Sequence, residues 1–456
     1  WSANVRYTDD RHDHPYDIGL LTDTLANLFS LTGHTHQTMV LNTNFRHYLD
    51  REKEHFFEFD AQWSDNENDL DNQSFLQETP DAYQRTIEDN RIINLAFDYT
   101  RPIGKGQLEA GALFTGRELT TSYLATQIDG ELGEAGYQYE QPVWATYALL
   151  RQSFGKIDVQ AGLRYEDYRA TATFSVPDSD IQLFFGSFFP SVHLLWQLND
   201  EQSISLGYNR RTSRPHRHQL NPFRLLPFPT DQWTGNPGLQ PEFTQNIELN
   251  YSFEKQKVQL RSGAYVRLRR NDMTPITEAI NDQLVRRWVN LGNPFAYGVE
   301  MSVGYSPSDN YQLQVNLNAG GETIADVPSE IFLQRSHAQF ANFSLRQNIT
   351  AWQQLKIDLN WRGNFIREGF FSERYFTHIF DLAFRYNLWQ NRLQLSLRGE
   401  DILYSEIWRG RWFGPDFTAH YYWRERGPTI FIGFNYRFEN GAATRKRDRK
   451  QRKYGS

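Results

Sequence analysis

The 456-residue sequence has no cysteine, only three methionines, and no apolar run approaching the roughly 18 residues that a membrane-spanning helix needs. Without thiols there is no disulfide scaffold, no thiolate zinc or iron–sulfur site and no cysteine nucleophile. The missing apolar run, with a mean hydropathy of −0.68, excludes a helical membrane protein. It leaves a membrane β-barrel open, because barrel strands alternate apolar and polar residues and so average to a soluble-looking value. Charge is nearly balanced, 48 Lys+Arg against 55 Asp+Glu, and no folded basic surface suggests a nucleic-acid partner. Enzyme motifs are missing too: there is no Gly-x-Ser-x-Gly, Walker loop, dinucleotide glycine pattern or His-Glu-x-x-His. The inward carboxylates Glu58, Asp60, Glu248 and Asp358 are spread over three strands, so neither catalysis nor a cofactor is expected.

What is present is aromatic side chains, 15% of residues, and period-2 alternation from one end to the other. Phe57, Phe59, Ala61 and Trp63 alternate with Glu58, Asp60, Gln62 and Ser64. Ile247, Leu249, Tyr251 and Phe253 alternate with Asn246, Glu248, Asn250 and Ser252, and Leu393, Leu395 and Leu397 with Gln394, Ser396 and Arg398. Helical periodicity is nearly absent.

The connections alternate as well. Short polar turns fall near 50–54, 101–106, 153–156, 199–202, 254–257, 306–310, 350–353 and 388–391. Mostly longer loops fall near 8–36, 65–89, 119–140, 171–187, 212–241, 271–293, 323–331, 366–374 and 403–427. Together they predict about eighteen strands of about ten residues, the length that crosses a bilayer when tilted. A soluble sandwich or propeller would also alternate, but its strands are usually shorter and its loops need not sort by length. The reading is therefore all-β: a transmembrane antiparallel up-and-down β-barrel with a wet interior, over residues 1–438.

The last strand, Thr429 to Phe438, places Ile430, Ile432, Phe434, Tyr436 and Phe438 on one face. It resembles the terminal strand by which bacterial outer-membrane proteins are passed to the barrel assembly machinery. Beyond it, residues 439–456 form a basic tail, read as disordered and periplasmic. Seven cations and one carboxylate crowd into 445–453, and without them the formal net charge moves from −7 to about −13. The chain opens at Trp1 already alternating, with no basic or apolar leader, and is expected to be a piece of a longer protein.

The central loop carries Arg214-Pro215, then Leu220-Asn221-Pro222-Phe223, then Gly235-Asn236-Pro237-Gly238-Leu239-Gln240-Pro241-Glu242. Its Pro, Gly and Asn residues punctuate a rigid connection. This ordered set resembles the C-terminal barrel of TonB-dependent outer-membrane receptors, and most of all the outer-membrane-protein β-barrel family common in Bacteroidota. Ala161-Gly162-Leu163-Arg164-Tyr165-Glu166, Phe189-Pro190-Ser191 and Asn290-Leu291-Gly292-Asn293 match it as well. The resemblance implies a 22-stranded barrel, of which about eighteen strands are present. It also implies an N-terminal plug, absent here, through which the TonB system would act, and an unknown small ligand. Outer-membrane lipid and lipopolysaccharide would surround the barrel.

Ligand-binding candidates lie in the predicted outer loops: Arg210, Arg211 and Arg214, and the aromatic, basic run Trp408, Arg409, Arg411, Trp412, Tyr421 and Tyr422. Aromatic faces stack on sugars or siderophores, and guanidinium groups bind anions. The structural alternatives are an interfacial girdle for the aromatics, and pairing of the arginines with acids such as Asp231 and Glu242. The pairs His12/His14, His34/His36 and His216/His218 are read as solvated histidines, and no metal site is expected. The functional expectation is an energy-coupled outer-membrane importer, with a passive porin and a soluble β-rich binding module as alternatives.

Overall fold

The computed structural model describes residues 2–20, 26–76, 79–127, 132–175, 178–220, 225–228, 231–280, 283–352, 354–415, 417–424 and 427–438. Asn221, Pro222 and Phe223 of the central motif, and the basic tail 439–456, lie outside them.

Nine strands come first: β1 (Ser2–Leu20), β2 (Ala26–Tyr48), β3 (Phe56–Leu76), β4 (Thr79–Ile103), β5 (Gly106–Gln127), β6 (Leu132–Phe154), β7 (Ile157–Ser175), β8 (Asp178–Asn199) and β9 (Gln202–Ser213). A one-turn helix α1 (Arg217–Leu220) and the short strands β10 (Leu225–Phe228) and β11 (Asp231–Thr234) precede β12 (Glu242–Lys255) and β13 (Val258–Arg270). After β14 (Met273–Ile280) and β15 (Gln283–Asn290) come β16 (Asn293–Ser308), β17 (Tyr311–Ala325), β18 (His337–Ala351) and β19 (Leu355–Glu368). The chain ends with β20 (Ser372–Arg374), β21 (Thr377–Leu388), β22 (Leu393–Glu400), β23 (Trp408–Phe413), β24 (Thr418–Trp423) and β25 (Thr429–Tyr436).

Eighteen of these, β1–β9, β12, β13, β16–β19, β21, β22 and β25, pair antiparallel with their neighbours in sequence as one continuous meander. Among the described residues no ladder joins β1 to β25. The turns at one end fall where expected, with two residues between β4 and β5, β6 and β7, β8 and β9, and β12 and β13. Gly155 there adopts φ +66, the left-handed conformation a two-residue hairpin turn demands.

The first loops differ from expectation. Residues 8–36, 65–89, 119–140 and 171–187 are not open loops but mostly ladder, paired from Thr8↔Thr38 on to Leu20↔Ala26 and from Asp65↔Arg91 on to Leu76↔Thr79. Strands β1–β8 consequently run 19–25 residues rather than about ten. The reason is that a hairpin leaving the bilayer keeps its hydrogen bonds as long as alternation continues, whichever face is apolar.

Strand β7 shows which face is which. Over residues 157–165 the outward positions Ile157, Leu163 and Tyr165 are exposed and apolar, whereas Asp158, Gln160 and Arg164 point inward. From Asp167 the parity inverts: Asp167, Arg169, Thr171 and Thr173 face out, while Tyr168, Ala170, Ala172 and Phe174 are buried inside. Nine residues of apolar exterior match a tilted crossing. Trp144 at 60% and Phe184 at 62% exposure belong to the same outer aromatic and aliphatic surface. Every outward apolar residue expected of the last strand, Ile430, Ile432, Phe434, Tyr436 and Phe438, is likewise exposed.

The buried core is therefore outside the belt, at the loop end. Leu119, Tyr137, Tyr139, Val143, Tyr168, Ala170, Ala172 and Phe174 of the extended β5–β8 wall pack around Leu220 and Leu239 of the central motif. A second cluster joins Ile276, Val289 and Leu291 to Phe370, with Ile324, Val327, Ile331 and Leu333 against it. The element common to both is a four-stranded sheet, β10-β11-β15-β14, made from the 214–241 and 271–292 connections. Its parallel β11–β15 pairing ties those two connections together. The sheet thus reaches from the β5–β8 wall to the β17–β19 side.

Candidate functional site

Beside that sheet the inward faces of β9, β12, β13 and β16–β19 enclose a cleft of about 940 Å³. It is lined by Arg211, Arg267, Arg269 and Arg367, by Glu242, Glu300, Glu322 and Glu368, and by Asn318, Asn342 and Asn364. These are inward positions because β12 and its neighbours turn Ile247, Leu249, Val299 and Leu317 outward. The three asparagines sit directly opposite one another across β17, β18 and β19, forming a carboxamide row. Asn318 Oδ1 is buried with no hydrogen-bond partner.

The charges are unequally engaged. Arg269 pairs with both Asp272 and Glu322, and Thr274 donates to Asp272. Glu242 accepts from the Thr244 hydroxyl at 3.1 Å, and Glu368 from the Gln339 amide at 2.7 Å. Arg267 donates to Asn246 at 3.2 Å and lies 4.2 Å from the Tyr265 ring centre. The Tyr265 ring rests on Gly298, where a Cβ would fall 2.4 Å from its hydroxyl, so that glycine leaves room for the ring.

A ribbon of β20, β23 and β24 flanks the cleft, paired Glu373↔Arg411 and Trp412↔Ala419. Glu373 accepts from Arg411 at 2.5 Å and from Arg335 at 2.7 Å. Burial raises the Glu373 pKa, but the two guanidinium bonds outweigh it and hold the carboxyl below its usual range. In the small sheet, a two-pronged hydrogen bond from Arg287 outweighs burial and likewise holds Glu278 low.

The sequence candidates divide between the two sides of this mouth. Arg211 lines the cleft. Arg210 donates to the Phe188 carbonyl at 3.0 Å and stacks 5.0 Å from the Phe243 ring, filling the gap where β8 and β9 part. Arg214 is a candidate ligand donor whose structural alternative is pairing with acids such as Asp231 and Glu242. The acid it pairs with is Glu166, which also accepts from Arg164 at 2.6 Å, and the Arg214 guanidinium lies over Tyr168. Glu166 is the buried inward acid where the wall inverts, so it meets the loop arginine first.

On the ribbon, Trp412 stacks on Tyr421 at 4.7 Å, and Arg286 of β15 covers Trp412 at 4.7 Å. Arg411 is spent on Glu373, Trp408 lies under Arg374, and Arg409 and Tyr422 are exposed. Pro215, Leu220, Leu239 and Pro241 are buried. Asn236 donates to the Trp288 carbonyl and accepts from the Gly238 amide, an Asx turn. Gly235 and Pro237 are half-buried beside it. The motif thus builds the cap over the wall. Of the histidines, His36 bonds Asn68 and Thr38, and the ring of His34 is 6.2 Å away.

Sequence reasoning did not find Arg267, Arg367 or the asparagine row. Alternation marked their strands, but nothing in one strand tells which inward positions stand side by side.

The sequence matches the outer membrane protein beta-barrel family over residues 47–436. No curated protein matches it. Among solved structures, the ferric citrate transporter FecA shares 12% identity at a TM-score of 0.60, covering 94% of this chain and 70% of FecA. The ferric yersiniabactin uptake receptor FyuA of Yersinia pestis shares 11% at 0.61, covering 96% and 68%, and the copper transporter OprC 14% at 0.65, covering 95% and 72%. These likenesses show a common fold. With a matching family over most of its length and an apolar belt of bilayer width, the chain belongs to the outer membrane protein β-barrel family and resides in the bacterial outer membrane.

Proposed function

We propose that this barrel is the wall of a TonB-dependent receptor that captures a scarce small ligand at its loop end and imports it. The observation that carries this reading is the polar cleft of about 940 Å³ on the inner wall, with a small sheet beside it. A passive porin has no use for connections packed into two buried clusters at its mouth. The ferric citrate, ferric yersiniabactin and copper transport named for the structural neighbours favours a metal complex among the ligand classes, with oligosaccharides next.

Energy coupling would come through a plug ahead of the barrel, together with about four further strands. Among the described residues β1 and β25 share no ladder, and further strands between them would give those edges the hydrogen-bonding partners that hydrocarbon cannot. The polar inner face then provides the passage once the plug moves.

The test is uptake of a panel of ferric siderophores and oligosaccharides by cells expressing the full gene, with and without TonB. Uptake that disappears without TonB is expected. Uptake independent of TonB, joined to a stably open single-channel conductance, would establish the porin instead.

A further inference from the structure

Inward positions on β19 run Asp358, Asn360, Arg362 and Asn364, so strict alternation would next turn Ile366 inward and Arg367 towards lipid. The ladder with β18 departs from this. Asn342 pairs with Asn364 and Ala341 with Ile366, leaving Phe365 as one extra residue. That bulge shifts the parity: Ile366 is exposed on the outer face and Arg367 lines the cleft.

Arg367 there stands directly across the β19–β20 ladder from Arg374. Like charges on opposed positions repel. The adjoining carboxylates are engaged elsewhere, Glu373 by Arg335 and Arg411 and Glu368 by Gln339. Among the described residues neither Arg367 nor Arg374 makes an ion pair. Arg374 Nε is buried without an acceptor, and so is Nε1 of Trp408, whose ring lies 4.4 Å from the Arg374 guanidinium.

We propose that Arg367, Arg374 and Trp408 form an oxyanion-binding subsite at the rim of the cleft, receiving a carboxylate or phosphate group of the imported ligand. An oxyanion supplies the acceptors that two buried donors lack and cancels the repulsion between two guanidinium groups, whose planar forks fit it. Because the bulge turns Arg367 into the lumen, the anion comes from a soluble ligand and not from a lipid headgroup. This assignment rests on the receptor reading for its biological meaning, but its test is independent of transport.

The experiment is calorimetric titration of inorganic phosphate into the protein expressed from the full gene, in neutral phosphatidylcholine nanodiscs free of lipopolysaccharide. Each variant is first checked for heat-modifiable gel mobility. Saturable binding is expected, weakened about tenfold or more in Arg367→Gln and in Arg374→Gln and less in Trp408→Phe. Arg367→Lys, which keeps the charge and the fold but loses the fork, should fall between. Arg261→Gln, on the lumen at the turn end, should bind as the parent does.

No saturable binding by the parent chain, equal affinity in the Arg367→Gln/Arg374→Gln pair, or an equal loss in Arg261→Gln would overturn the subsite. So would variants that keep phosphate affinity but retain less lipopolysaccharide when purified from outer membranes, which would assign the pair to lipid. TonB-independent uptake beside intact phosphate binding would remove the receptor reading and leave the subsite standing.

Discussion

Glu373 accepts from Arg411 of β23 and Arg335 of the 326–336 connection, so one carboxylate ties β20, β23 and that loop together. Its side chain is 11% exposed, and removing it strands two guanidinium groups in a half-buried setting. Glu373→Gln should cost about 1–3 kcal/mol of local stability. Faster amide exchange in β20 and β23, with unchanged exchange in β12, would register it. The same carboxylate sets a pH dependence. Its folded pKa lies below the ordinary value of 4.5, so its stabilisation is full above that value and is lost as pH falls through the depressed folded value. Protection in β20 and β23 measured from pH 6 down to 3 should fall only below about 4.5. A fall near pH 6 would point to a histidine instead.

A strand is amphipathic in either sense, and this chain uses both senses within single elements. In β7 the apolar face is odd-numbered up to Tyr165 and even-numbered from Tyr168, because lipid lies outside the lower half and packed loops lie inside the upper half. The switch was present in the sequence as Leu163-Arg164-Tyr165-Glu166 giving way to Tyr168-Arg169-Ala170-Thr171. To a pattern of one greasy face per strand such a break looks like the start of a loop, and so 171–187 reads as one in the sequence. In β19 the bulge at Phe365 inverts the parity without any change in composition. The absence of native cysteine allows a direct check: single cysteines at Ile366 and Arg367 should be labelled from lipid and from water respectively. The opposite pattern would show that strict alternation holds and that no bulge forms.

At the scale of the whole molecule, the two ends are unlike: eight short turns at one, and at the other long hairpins, a cross-sheet and a ribbon. If the loop end faces outward, a cysteine at exposed Ser329 should react with an impermeant maleimide on intact cells. One at exposed Lys156, in a turn, should react only after permeabilisation. Reversed labelling would invert the barrel and place the cleft at the periplasmic side.

The alternation of side chains and the positions of the tight turns are local properties, fixed by neighbours two to four residues apart, and so the barrel, its eighteen strands and the outward aromatic terminal strand were legible in the sequence alone. The central motif was legible too, but not its job, because Leu220 and Leu239 find their partners on β5–β7, far away in the chain. The same holds for Arg214, whose carboxylate is 48 residues distant. Only the tertiary structure decided which inward side chains meet, since register between strands and a single extra residue in β19 set that, and neither leaves a mark in the periodicity of one strand.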